Sequence, residues 1–422
     1  MKSADVDSAA LGFDPQSPTF RRDPYPAYAR LREQAPICYR PEHDDWLLSR
    51  YADVKRVLQD ARFQFSDPAE TVLMEHIDWA AVQSRPPSAR RVRLLRDKCV
   101  DLQNRFLDVR LPPEHTHLRQ LMQPRLAPSA VSCLRPMMQA LVDDLLDRAV
   151  ARGELDVIND LAFPYTFGVI CTVLGCPQER ADEVRAWTRD LINGIDLGAD
   201  RQRHERNLWA MGRFAQYMHG ILAMKAREPQ DDGLSSCVQA HLRGQVGADD
   251  VLANSITLLF AGHETSQNLL GLAIRTLLRY PQHWRRLRSE PEIISTAVEE
   301  LLRYDGPIQA RSHVALADVP IAGGIIRKRQ RVRLLIGAAN RDPRQFPDPD
   351  RIELTRQPNA HLGFFHGPHY CLGAPLARLE MEVALSTLAR RLPNLQLVDE
   401  PDEWLDTYFM RGLTRLRVTW GP

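Results

Sequence analysis

The stretch His361–Ala374, HLGFFHGPHYCLGA, constrains this chain more than any other. Gly363, Gly367 and Pro368 break regular structure, so the run must be loop. Beyond it, Pro375–Arg391 carries Leu376, Leu379 and Val383 at offsets of three and seven, the period of one helix face. Cys371 therefore stands at or just before a helix N-terminus. Free N–H groups and the positive end of the dipole stabilise a thiolate there. Such a sulfur is a nucleophile or a metal ligand, and the bland alternative is a small buried apolar cysteine.

Composition narrows the setting. The chain has 422 residues, 44% hydrophobic and 26% charged, with net charge +1. That is ample for a large core and carries no electrostatic commitment to nucleic acid or a membrane surface. The seven cysteines, Cys38, Cys99, Cys133, Cys171, Cys176, Cys237 and Cys371, are odd in number and contain no CxxC pair. Neither a disulfide framework nor a zinc site is suggested, and a reducing cytoplasm is the natural setting. Met1–Phe20 lacks an apolar core of signal-peptide length, and no uncharged apolar run of about 18 residues occurs. A cytoplasmic protein with no membrane anchor is expected.

Three further stretches carry polar residues in telling places. Asp249–Tyr280 is the longest helical signal, about 48 Å at 1.5 Å per residue, and Val251–Leu259 is apolar nearly all round. Ala261-Gly262-His263-Glu264-Thr265-Ser266 then puts glycine and polar groups into its buried centre. Gly is unfavourable inside a helix, and buried Glu and Thr need partners. One reading is a polar kink; the other is a local opening where the Thr265 hydroxyl and a water face a ligand. Pro112–Met122, PPEHTHLRQLM, begins as helices begin and sets His115 and Arg119 four apart on one face. Glu292–Tyr304 is a helix on which Glu300 and Arg303, three apart, can pair.

The pattern Phe364-x-x-Gly367-x-His369-x-Cys371-x-Gly373 resembles the haem-binding loop of the cytochromes P450, the haem-thiolate monooxygenases. AGHETS matches that family's oxygen-activation motif, and PPEHTHLR its propionate-clamping helix. The resemblance runs from about Asp23 to Trp420. It implies a mainly α cytochrome P450 fold: a large helical lobe whose long central helix lies over haem b, and a small β-rich lobe. Residues 1–22 would be an extended arm and 23–422 a single domain. Cys371 would be the axial iron ligand, with Phe364 shielding the sulfur and Gly367 and Gly373 letting backbone come close to the macrocycle; Gly262 would also belong to the cofactor site. His369, His115 and Arg119 would reach propionates. Relatives usually have an Arg where His313 stands; Arg311, two residues earlier on the same strand face, could serve instead. Glu264 and Thr265 would be the acid–alcohol pair for proton delivery. Glu300 and Arg303 would form a structural network closed by Arg351. One departure is Phe365, at a position usually held by Gly.

The implied reaction is reductive activation of O2 to hydroxylate or epoxidise a small organic substrate in secondary metabolism. Alternatives are an oxidase that couples or desaturates, a peroxide-driven enzyme, or a non-catalytic relative that only binds a partner. The chain carries no flavin or iron–sulfur motif, so electrons are expected from a ferredoxin-type donor and its reductase. An insertion is expected around Thr71–Asn104. Within it, Arg85–Lys98 holds six cations, Arg85, Arg90, Arg91, Arg93, Arg96 and Lys98, and one acid, Asp97. This excess raises the expectation of an anionic substrate or an acidic carrier protein, against the plainer reading of a solvated face.

Overall fold

The computed structural model describes residues 8–41, 43–65, 98–196, 201–321 and 324–421. Its longer helices include α1 (Tyr25–Gln34), α2 (Tyr51–Gln59), α3 (Glu114–Leu126), α4 (Arg135–Arg152), α5 (Phe163–Leu174) and α6 (Ala181–Ile195), followed by α7 (Arg201–Arg227), α8 (Gly233–Leu242), α9 (Ala248–Arg279), α10 (Pro281–Ser289), α11 (Ile294–Tyr304) and α12 (Ala374–Arg391). The chain divides into two compact units. One comprises residues 1–63, 128–166 and 264–422, the other 64–127 and 167–263. Helices α5 and α9 each contribute to both.

The first unit holds the principal sheet. β1 (Ile37–Arg40) and β2 (Asp45–Leu48) form an antiparallel hairpin. β3 (Arg311–Ala315) pairs antiparallel with β4 (Arg331–Leu334), Arg311 opposite Leu334 and His313 opposite Val332, and β4 runs parallel to β2. A core of Trp46, Tyr51, Val332, Leu334, Phe346 and Leu362 packs against this sheet. Tyr51, Val54, Val57 and Leu58 supply the buried stripe of α2, at the spacing that a half-buried helix needs.

Local rules account for most boundaries. Pro128–Ser132 makes one turn, and α4 begins afresh with Pro136 in its first turn, where a missing N–H costs nothing. Gly153 ends α4 at φ 79°. Residues 8–22, expected to be part of an extended arm, are folded down instead. Phe13 and Phe20 are buried, their rings 5.7 and 5.8 Å from that of Tyr408, and Pro18–Arg22 is helical. Burying two aromatic rings outweighs the polar composition that suggested an exposed arm.

In the second unit α7 packs along α6, and α8 packs on α7 and α3. Among the described residues one helical stretch, Val157–Leu174, is long and apolar enough to cross a membrane, and 78% of it is buried within the protein. The expected insertion and its basic run lie outside the described residues except at their C-terminal ends. There Lys98 pairs with Asp249 at 3.1 Å and Asp101 at 3.5 Å.

Candidate functional site

The Cys371 loop is docked from both ends. Leu362 N–H donates to Asn340 Oδ1 at 2.7 Å, and a Cβ on Gly363 would come within 2.7 Å of Leu302. Gly367 has φ 77°, and a Cβ there would lie 2.6 Å from the Leu58 carbonyl, so only glycine fits. Cys371 N–H donates to Phe364 O at 3.0 Å, which closes the loop and sets Phe364 beside the sulfur's residue. α12 starts three residues on, with Gly373 as its N-cap, and a Cβ on Gly373 would stand 4.0 Å from Cys371 Sγ. Cys371 is half-buried. By contrast, burial pushes the thiols of Cys99 and Cys176 up to about 12 and that of Cys237 up to about 11, so those sulfurs are poor thiolates.

Behind the loop lies a buried charge network. Arg303 and Glu300 are fully buried and paired bidentately, Nε to Oε2 at 2.7 Å and Nη2 to Oε1 at 2.9 Å. Arg303 also donates to the carbonyls of Asn340 and Pro349, each at 2.9 Å. The third side chain is not Arg351, as expected, but Arg356, whose Nε lies 3.2 and 3.1 Å from the two Glu300 oxygens. Arg351 is exposed and offers only its carbonyl, to Arg303 and Arg356. Asp348, in the same irregular stretch, has a left-handed backbone at φ 48°.

A second cluster lies outside the sequence expectations. Arg378, seven residues after Cys371, donates to both Glu299 oxygens at 2.6 and 2.8 Å, and its guanidinium lies 4.5 Å from the Phe364 ring centre. His361 Nε2 is 3.0 Å from the same carboxylate. Burial opposes ionisation of Glu299, yet Arg378 and His361 hold its carboxyl down at about 2. Arg378 lies about one turn into α12, and its nearness in sequence to Cys371 is the one signal that could have found it.

On β3, Arg311 and His313 share a face, and His313 is close enough to His369 of the Cys371 loop to feel its charge. Burial, then Arg311, then His369 push the His313 imidazole down to about 3, so it is neutral at physiological pH. A guanidinium and imidazole N–H groups converging from a strand and a loop suit an anion. The Arg311 guanidinium also lies 5.1 Å over the Phe365 ring.

The centre of α9 is continuous helix, so the expected local opening is absent. Access is provided by side-chain size: Ala261 is exposed and Thr265, four residues on, is half-buried on the same face, while Glu264 is buried. One turn later Asn268 donates to Glu264 O at 2.8 Å and sits 3.1 Å from Met410 Sδ. A Cβ on Gly412 would collide with Asn268 Oδ1, so this C-terminal turn is pressed onto α9.

Within the second unit, His115 is buried and Arg119 half-buried on one face of α3. Burial, then Arg119, lowers the His115 pKa, leaving Arg119 the fixed charge of the pair. Gly262 is required by packing: a Cβ there would stand 2.5 Å from Ile170 of α5.

Glu380 on α12 is buried with Ser266 of α9 beside it, and burial pushes its acid up to about 8, against the hydroxyl's smaller opposing effect. The unfolded chain ionises first, so this acid's contribution to stability is intact below the ordinary value of 4.5 and declines up to about 8. The stability of Glu380→Gln relative to wild type is therefore expected to rise by about 1.4 kcal/mol per pH unit across that window and then level off. Urea unfolding of both proteins from pH 5 to 9 measures it. A constant difference would show that Glu380 ionises normally.

The donor set suits haem: a half-buried sulfur at a helix N-terminus, small residues around it, and a cationic group to one side for carboxylates. A family model described as cytochrome P450 matches residues 43–403. The biotin biosynthesis cytochrome P450 of Bacillus subtilis (strain 168) is 34% identical over 407 residues, covering 96% of this chain and 98% of that protein. Among solved structures, P450BioI in complex with hexadec-9Z-enoic acid ligated acyl carrier protein matches with TM-score 0.85 at 32% identity, covering 96% of this chain and 99% of that one. Cytochrome P450 CREJ in complex with (4-ethylphenyl) dihydrogen phosphate matches with TM-score 0.85 at 28% identity, covering 97% and 100%.

Proposed function

Since this chain belongs to the cytochrome P450 family, and is a haem-iron monooxygenase, we propose that it hydroxylates or epoxidises an anionic or carrier-linked small molecule in secondary metabolism, with Cys371 as the axial ligand of haem b. The observation that carries this reading is the Cys371 loop itself, closed by the Phe364 carbonyl and set at the N-terminus of α12. Bound haem supplies the site of O2 binding and its two-electron activation; Cys371 donates electron density toward that chemistry.

Each remaining residue has a definable task. His369, with Arg311 or His313, would bind carboxylates of the cofactor, and His115 and Arg119 of α3 would do the same. Thr265 presents its hydroxyl on the accessible face of α9 and holds a water. Glu264 exchanges protons with that water from its buried position. Electrons come from a ferredoxin-type donor and its reductase, and the protein works in the cytoplasm. The anionic or carrier-linked substrate is supported by the six cations in Arg85–Lys98 and by the ligands named in two similar structures. Phe409–Met410 and Ile308–Ala310 complete the substrate contacts.

The test uses hexadec-9Z-enoic acid, free and thioester-linked to acyl carrier protein, with ferredoxin, reductase and 18O2. One labelled oxygen per product is expected, with Thr265→Ala consuming reductant at a similar rate while diverting it to peroxide. Product without label would contradict monooxygenation, and unchanged coupling in Thr265→Ala would remove that residue from proton delivery.

A further inference from the structure

Phe365 stands in the Cys371 loop at φ 59°, a left-handed conformation that a bulky side chain adopts only when its surroundings compel it. Its neighbour Gly367 has the same sign of φ at no steric cost. Two contacts account for the ring's position. It packs on the core cluster that includes Leu362, whose carbonyl accepts the Phe365 N–H at 2.9 Å, and it faces the Arg311 guanidinium at 5.1 Å. Core packing alone does not require an aromatic ring, since leucine would fill an apolar gap. The guanidinium contact does require one, because among apolar side chains only an aromatic face attracts a cation.

Arg311 benefits from such a holder. It lies on a strand, half-exposed, with a long side chain that loses considerable rotamer freedom when fixed. On its face the other polar residue is His313, buried and uncharged, so Arg311 carries the fixed charge of β3 there.

We propose that Phe365 is a positioning residue: its ring holds the Arg311 guanidinium in place for a haem carboxylate, and the two residues act as one unit. This rests on the reading of the Cys371 loop as the haem site. The strained conformation is retained because it puts an aromatic face under that guanidinium.

The experiment measures haem transfer from the holoenzyme to excess apomyoglobin, together with the haem reduction potential, in Phe365→Leu, Phe365→Trp, Arg311→Gln and the Phe365→Leu/Arg311→Gln double variant. Leucine keeps the apolar bulk and the unfavourable φ but has no π face; tryptophan keeps the π face. Phe365→Leu and Arg311→Gln are each expected to speed haem loss about tenfold, the scale of a partly desolvated cation–π contact. Both should lower the potential, since a cation beside the carboxylate is displaced or lost. Phe365→Trp should stay near wild type, and the double variant should lose haem no faster than Arg311→Gln. Multiplicative effects in the double variant, or a Phe365→Leu protein indistinguishable from wild type, would overturn the proposal. If the wild-type holoenzyme itself lacks the thiolate spectrum, the underlying reading of the loop fails instead.

Discussion

Arg303→Met is expected to lose about 3–5 kcal/mol of stability, enough to leave much of the protein unfolded at 37 °C. The arginine is fully buried and makes two bonds to Glu300 and three to main-chain carbonyls, those of Asn340, Pro349 and Arg351. Removing it leaves a buried carboxylate with one guanidinium, Arg356, where it had two, and strands the carbonyls of Asn340 and Pro349. Asn340 also fixes Leu362, the start of the Cys371 loop, so cofactor retention should fall with stability. Burying a charge without its partner is worse than burying none. Replacing both residues, as Glu300→Leu with Arg303→Met, is therefore expected to cost less than Arg303→Met alone. Equilibrium urea unfolding measures all three proteins. A single variant within about 1 kcal/mol of wild type would mean that the network contributes little.

Much of the site is readable from the chain because its chemistry is local. The Cys371 loop concentrates its glycines, its sulfur and the following helix within a short contiguous run, and each residue's constraint can be argued from backbone geometry. The long span of α9 is likewise plain, since an unbroken apolar pattern with no internal proline leaves few alternatives.

What escapes a sequence reading depends on contacts between distant segments. Arg351 and Arg356 lie in the same irregular stretch, and spacing from Glu300 cannot distinguish them where no helix or strand period applies. Only the folded path of that stretch brings Arg356 to Glu300 and leaves Arg351 exposed. Glu299, His361 and Arg378 come from two helices and a loop, and none is unusual in its own segment. The folded-down residues 8–22 are anchored on Tyr408, nearly the full chain length away, which a local polarity reading cannot see. The expected opening of α9 fails for a different reason: small side chains give access without breaking a hydrogen bond.

Loss of Cys371, proposed above as the thiolate ligand of the haem iron, is expected to have the second large effect. Four of the other cysteines, Cys99, Cys171, Cys176 and Cys237, are buried with raised thiol pKa values, and Cys371 alone stands half-buried in a glycine-flanked loop before a long helix. A thiolate ligand would donate strongly to haem iron and move the Soret band of the reduced, carbon-monoxide-bound protein far to the red, which neither a thiol nor an imidazole would do. The measurement is the spectrum of the dithionite-reduced, carbon-monoxide-bound protein, wild type beside Cys371→Ala. Wild type is expected to show the red-shifted thiolate band, and the variant to lose it whether or not haem stays bound. A Cys371→Ala protein that keeps the band, or a wild type that never shows it, would contradict the assignment.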